Sequence, residues 1–289
     1  MSDFYNKLNK NNKNDFNQDS LPVNRRELFK KIFVSRFGKL FQINIFTFLF
    51  FIPLLLWDMF TNIYKSSLKD LSELTQFVLY IKSPLFIVFT LIAFVGIAGA
   101  IYYIRRLSWK EPVSLFRTFF EGVKNSIKQF MIFGFVTAIF ICLCDLAFTM
   151  MINTNLDKTY NIIFISSMIL AIVLFLSIIS YALTLSSLYV MKISTIVKTS
   201  VILTIKKMML NLFFSIVTYG IILATFILNI VYLYFIGIVV LAVIGISYSI
   251  LVWVIYTNSS YDLYINLKQY PEIYRKGLRP LKKEGAKGA

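Results

Sequence analysis

The stretch Leu210–Tyr256, LNLFFSIVTYGIILATFILNIVYLYFIGIVVLAVIGISYSILVWVIY, carries no charged side chain. A helix rises about 1.5 Å per residue and a bilayer core is about 30 Å thick, so about 20 apolar residues make one crossing. This stretch is more than twice that long and holds two crossings, about 210–230 and 237–256. The break between them belongs near Asn229 to Gly237, where an amide, two tyrosines and a glycine suit a tight turn and its flanking interface.

Four more apolar regions read the same way toward the N-terminus, at about 160–189, 130–152, 85–104 and 40–60. In hydrocarbon the backbone must satisfy its own hydrogen bonds, and runs of this length do so as helices. The expected fold is an all-α polytopic membrane protein with six transmembrane helices and amphipathic interfacial helices.

Charge tests that count independently, because cytoplasmic loops hold the excess of lysine and arginine. Nine basic residues precede the first span, six lie between spans 2 and 3, four between spans 4 and 5, and seven in the C-terminal tail. Only Lys65, Lys69, Lys82 and Lys158 fall on the other side, so 26 of the 30 share one face. The alternation requires six spans and puts both termini of this multi-pass chain in the cytoplasm. The first span follows a basic region as a secretory signal would. It is longer than a signal core, no small-x-small site follows it at Trp57-Asp58-Met59, and it reads as uncleaved.

Composition agrees. With 58% hydrophobic and 15% charged residues, the 289-residue chain has too little polar surface to cover a soluble globule. A net charge of +16 would point to nucleic acid in a soluble protein. Here the basic residues flank spans, and the partner they imply is the anionic headgroup layer at the cytoplasmic face, not nucleic acid.

Residues 1–25 are rich in Asn and Lys and read as a disordered tail, 26–260 as the membrane domain, and 261–289 as a basic cytoplasmic tail. Within 26–39, Leu28, Phe29, Ile32, Phe33 and Phe37 alternate with Arg26, Lys30, Lys31 and Arg36, an amphipathic helix at the inner interface that leads into span 1. Between spans 2 and 3, Pro112 suits the first turn of a second amphipathic helix. Trp109, Phe116, Arg117, Phe120, Lys124 and Lys128 make this loop the candidate docking surface for a cytosolic protein partner. Ile193 to Met208 repeats the pattern more mildly before span 5, either as a faint internal repeat or as the ordinary way an inner loop meets a membrane.

Inside the spans the sequence offers one clearly embedded carboxylate, Asp145, and no lysine or arginine. Asp145 is either a cation or proton site or an acid hydrogen-bonded to a neighbouring helix. Asp58 is expected at the interface. Ser177, Ser180, Thr184 and Ser187 stripe span 4, and with Asp145 the first three form the candidate intramembrane polar site, either as helix-bridging groups or as a path for an uncharged solute. Gly96 with Ala100 and Gly245 with Ser249 are small-xxx-small packing pairs. There is no histidine, and Cys142 and Cys144 are spaced to point apart on a helix. No catalytic set, metal site or cofactor is expected, and the chain reads as non-enzymatic.

Several local patterns together are more specific. Phe37-Gly38-Lys39-Leu40, Asn44, Pro53, Gly96, and Gly99-Ala100-Ile101-Tyr102-Tyr103 are followed by Trp109-Lys110-Glu111, Phe116-Arg117-Thr118-Phe119-Phe120-Glu121-Gly122-Val123-Lys124 and Ile127-Lys128-Gln129. This array resembles the YesL family of bacterial membrane proteins over roughly residues 28–135. Ser126 and Ile127 depart from the asparagine and aromatic usual there, and the separation of Pro53 from Gly96 is longer than in typical members. The resemblance implies six spans and members often encoded beside carbohydrate-uptake and polysaccharide-degradation genes, with no catalytic or binding residues to carry over. The expected function is an accessory or regulatory component of solute uptake, carbohydrate included. The alternative is a permease subunit that forms the path itself.

Overall fold

The computed structural model describes residues 21–68, 70–152, 157–227 and 231–280. Among them the chain is all-α. A short helix α1 (Arg25–Ser35) precedes α2 (Phe37–Ser67), α3 (Leu71–Ser108), α4 (Leu115–Met151), α5 (Lys158–Leu188), α6 (Ile193–Lys206), α7 (Met208–Ile227) and α8 (Tyr232–Gln269).

Five of these, α2, α3, α4, α5 and α8, are each long and apolar enough to cross a membrane. The α6–α7 pair, bent by 98°, is apolar enough as a unit to make a sixth. Contact between the two ends of the described chain argues for counting it. Arg279 N donates to the Pro22 carbonyl at 2.8 Å, and Arg25 meets Asp262 at 2.6 Å. Two ends on one side of a membrane require an even number of crossings. The chain is thus a polytopic helical membrane protein.

The helices overrun the expected spans, because hydropathy marks where lipid ends and not where hydrogen bonding ends. The expected amphipathic helix at 26–39 divides at Arg36, and Phe37 onward belongs to α2. Asn24 and Glu27 close α1 reciprocally: the Asn24 side chain accepts from Glu27 N at 2.9 Å, and the Glu27 carboxylate accepts from Val23 N at 2.7 Å. Leu28 and Ile32 are buried in the core, while Phe29 and Phe33 both pack on Tyr248 of α8. This elbow is therefore packed into the bundle and does more than lie at its edge.

Pro112 lies outside any helix, which corrects its placement in a helical first turn. Lys110, with φ +58°, ends α3 in a left-handed turn closed by Glu111 N to the Arg106 carbonyl at 3.0 Å. The docking helix then starts at Leu115 and runs unbroken into span 3. α3 and α4 make the most intimate hairpin of the bundle. A Cβ on Gly99 would meet the Phe119 ring at 2.5 Å, and one on Gly122 would collide with Tyr102.

Of the expected break at Asn229 to Gly237, residues 228–230 lie outside the described chain. Tyr232, Tyr234 and Gly237 are already helical, so α8 begins earlier than 237. Residues 1–20 of the expected N-terminal tail and 281–289 of the C-terminal tail also lie outside the described chain. From Asp262 the rest of that tail is folded: α8 continues to Gln269, Leu278 is buried, and Gly277 (φ +85°) brings the backbone against Ser108.

α8 contains a π-helical turn, Leu241–Gly245, which leaves carbonyls without helical partners. Asn44 of α2, fully buried, supplies them. Its Nδ2 donates to Leu241 O at 2.9 Å and Ala242 O at 2.7 Å, and its Oδ1 accepts from Ser247 N at 2.9 Å.

Candidate ligand cavity and its ion network

At the end of the bundle opposite the chain termini, α2 places Asp58, Asn62 and Lys65 at intervals of four and three, hence on one helical face. α4 adds Asp145 and Thr149, and α3 adds Lys82 at the close of its own π-helical turn, Phe77–Lys82. The Lys82 carbonyl accepts the Trp57 indole N–H at 3.1 Å and ties α3 to α2.

These side chains form one network. Lys82 Nζ lies 3.0 Å from one Asp145 oxygen and 3.5 Å from Asp58, and it donates to the Asn62 carbonyl at 3.3 Å. Lys65 Nζ takes the other Asp145 oxygen at 3.2 Å and donates to Thr149 Oγ1 at 2.5 Å. Asn62 Nδ2 donates to Asp58 at 3.0 Å, and Tyr234 of α8 reaches Asp58 at 3.5 Å and the Leu55 carbonyl at 3.2 Å. Two carboxylates and two ammoniums thus balance to zero. The side chain of Lys82 is 7% exposed, that of Lys65 22%.

One expectation changes here: Asp145 has basic partners inside the bundle, while Asp58, expected at the interface, is buried between helices at this end. Both lysines fall outside the apolar windows of their helices, so hydropathy assigns them to a loop. The helical spacing of Asp58, Asn62 and Lys65 was the available signal. Nothing local pointed to Lys82.

The network forms the polar end of a cavity of about 440 Å³. Phe86, Phe140, Phe148 and Phe175 supply much of its apolar wall, and the unpaired thiols of Cys142 and Cys144 also border it. Toward the bundle centre Phe51, Tyr219 and Leu241 line both this cavity and a smaller one of about 180 Å³, and so stand between them.

Asp145 does not join the serine stripe of span 4. Ser177 pairs with Ser215 at 2.9 Å, Ser180 with Tyr219 at 2.7 Å and Thr184 with Tyr261 at 2.7 Å, bridging α5 to α7 and α8. Ser180 and Thr184 also line the smaller cavity. The hydroxyls serve packing first, since each also donates back to its own helix four residues earlier.

At the opposite end, Arg117, Lys124, Lys128, Phe116 and Phe120 are exposed on α4, the two rings packing on Phe46 of α2. Trp109 is not on that helix. Lys276 of the C-terminal segment lies 4.1 Å from its ring centroid and Arg105 5.1 Å. Lys276 also pairs with Glu111 at 2.8 Å, and Arg106 bridges Glu111 at 2.8 Å to Glu121 at 3.1 Å. Burial pushes the Glu111 carboxyl up, but hydrogen bonds from Lys276 and Arg106, with their charges, outweigh it and hold the group below its ordinary value.

The chain matches no protein-family model, no curated protein and no solved structure.

Proposed function

We propose that this chain is a non-enzymatic, YesL-like component of the bacterial plasma membrane, with both termini cytoplasmic, that assists or regulates uptake of a solute, carbohydrate included, by binding a ligand in the 440 Å³ cavity. The observation that carries this reading is the amphipathic cavity itself, an internally neutralised ion network on one part of its lining and aromatic and aliphatic side chains on the rest. Every charge in that network already has a partner, which suits recognition better than proton abstraction. At the far end, Arg117, Lys124 and Lys128 beside Phe116 and Phe120 suit anionic headgroups and leave room for a transporter partner.

Purification in a gentle detergent tests the reading: an already complete transporter should co-purify with the chain. Saturable sugar flux by the reconstituted chain alone would overturn it. The second reading, a permease subunit, is favoured by the two cavities that share Phe51, Tyr219 and Leu241 as a common wall. It predicts an associated ATPase without any other membrane subunit.

A further inference from the structure

We infer that the 440 Å³ cavity takes a single-chain amphiphile whose polar head carries no net charge, the chain lying along the phenylalanine wall and the head against Lys82 and Asp145. This rests on the cavity being the ligand site proposed above and adds the chemical class of ligand. Its volume falls within the roughly 300–1,000 Å³ of ordinary ligand pockets. Its polarity is divided by position. The charged groups and Asn62 meet one another, whereas Phe51, Phe86, Phe140 and Phe175 line the part of the cavity nearer the bundle centre. A small hydrophilic solute would leave that wall wet, and a plain hydrocarbon would leave the ion network unsolvated by any head. An amphiphile matches both halves.

The charge of the head follows from the network. Asp58 and Asp145 share Lys82, and Asp145 also holds Lys65, so the four charges cancel. A head with net charge would leave an uncompensated ion in a place of low polarity, which is costly. A zwitterionic or uncharged polar head can exchange partners with Lys82 and Asp145 without creating one. The π-helical turn ending at Lys82 and the one starting at Leu241 both contribute lining residues, and such turns recur where helices are shaped around a site.

The cysteines make the test direct, because the chain's only two thiols border this cavity. The full chain in lipid nanodiscs is treated with a small maleimide while dodecylphosphocholine, dodecyl sulfate, dodecyltrimethylammonium or phosphocholine alone is titrated below micelle formation. At ten times its dissociation constant the zwitterionic amphiphile should slow modification about tenfold, with the two ionic amphiphiles far weaker and the free head group without effect. Lys82→Met leaves the network negative and should shift preference toward the ammonium head, and Asp145→Asn should shift it toward the sulfate. Met168→Trp, which fills the cavity without touching the network, should remove protection and covers the case in which the charge variants do not fold.

Equal protection by all three heads, or an unchanged preference in folded charge variants, overturns the neutral-head inference. Protection by a soluble sugar and by no amphiphile overturns the amphiphile while keeping the cavity as the ligand site. Protection by nothing overturns both.

Discussion

The Asn44 side-chain amide stands 2.9 Å from the Leu241 carbonyl and locks α2 to the π-helical turn of α8. The same amide also reaches Ala242 O and accepts from Ser247 N, so one side chain satisfies three backbone groups that the turn leaves open. Replacing it with leucine keeps the volume and removes all three bonds. Asn44→Leu should lower stability by roughly 1–3 kcal/mol, read as a lower midpoint in thermal or SDS unfolding. Asn44→Gln, which keeps the chemistry but not the reach, should recover little of it. A wild-type midpoint in Asn44→Leu would mean that water or relaxation of the turn serves these groups instead.

Lys82 and Lys65 should behave differently although both contact Asp145. Lys82 is the more buried and holds two carboxylates apart. Lys82→Met strands Asp58 and Asp145 together and should cost roughly 3–5 kcal/mol, while Lys65→Met costs clearly less. Removing Asp58 as well, in Lys82→Met with Asp58→Asn, should be milder than Lys82→Met alone, since the remaining Lys65–Asp145 pair is neutral. A double-mutant cycle in unfolding free energy measures this, and additive losses would show that the charges do not act as one network.

The crossings were legible because twenty apolar residues leave one physical option, and the partition of basic residues was legible because loops of one sign repeat along the chain. Asp145 was legible as an acid at depth. Its partners were not, because hydropathy ends a span where charge begins, whereas the helix continues as long as backbone hydrogen bonds do. Lys65 lies two turns beyond Asp58 on the same face, and Lys82 arrives from a separate helix, a long-range contact that no periodicity encodes. The folding back of residues 270–280 onto Trp109 was hidden for the same reason: in sequence this segment is only basic and short of apolar residues.

Gly99 and Gly122 were read from the sequence as part of a family pattern, and the packing explains what they do. Each admits an aromatic ring of the facing helix, Phe119 onto Gly99 and Tyr102 onto Gly122. Gly99→Ala or Gly122→Ala should therefore cost roughly 1–3 kcal/mol by overpacking the α3–α4 hairpin. Gly38, which has nothing within 4 Å of an added Cβ, is the internal control. Gly38→Ala should be neutral or stabilising by up to about 1 kcal/mol, the ordinary helical preference. Equal losses at all three glycines would remove the packing explanation.

Glu111 fastens the C-terminal segment to the α3–α4 loop through Lys276, and its ionisation should set the pH at which that contact opens. Its carboxyl sits below the ordinary value near 4.5 because the charged hydrogen bonds outweigh burial. A group whose folded value is depressed stabilises fully above its unfolded value and loses that stabilisation as pH falls through the folded one. The segment should therefore stay closed at every pH above the ordinary carboxyl value near 4.5 and loosen only as pH falls below it. Amide hydrogen exchange over 271–279, corrected for the intrinsic pH dependence of exchange, reads this as lost protection confined to the acid range. Glu111→Gln should flatten the profile and leave the segment looser already at neutral pH, because the amide can still accept from Lys276 and Arg106 but no longer carries their counter-charge. Retention of the acid transition in Glu111→Gln would overturn its assignment to this carboxyl.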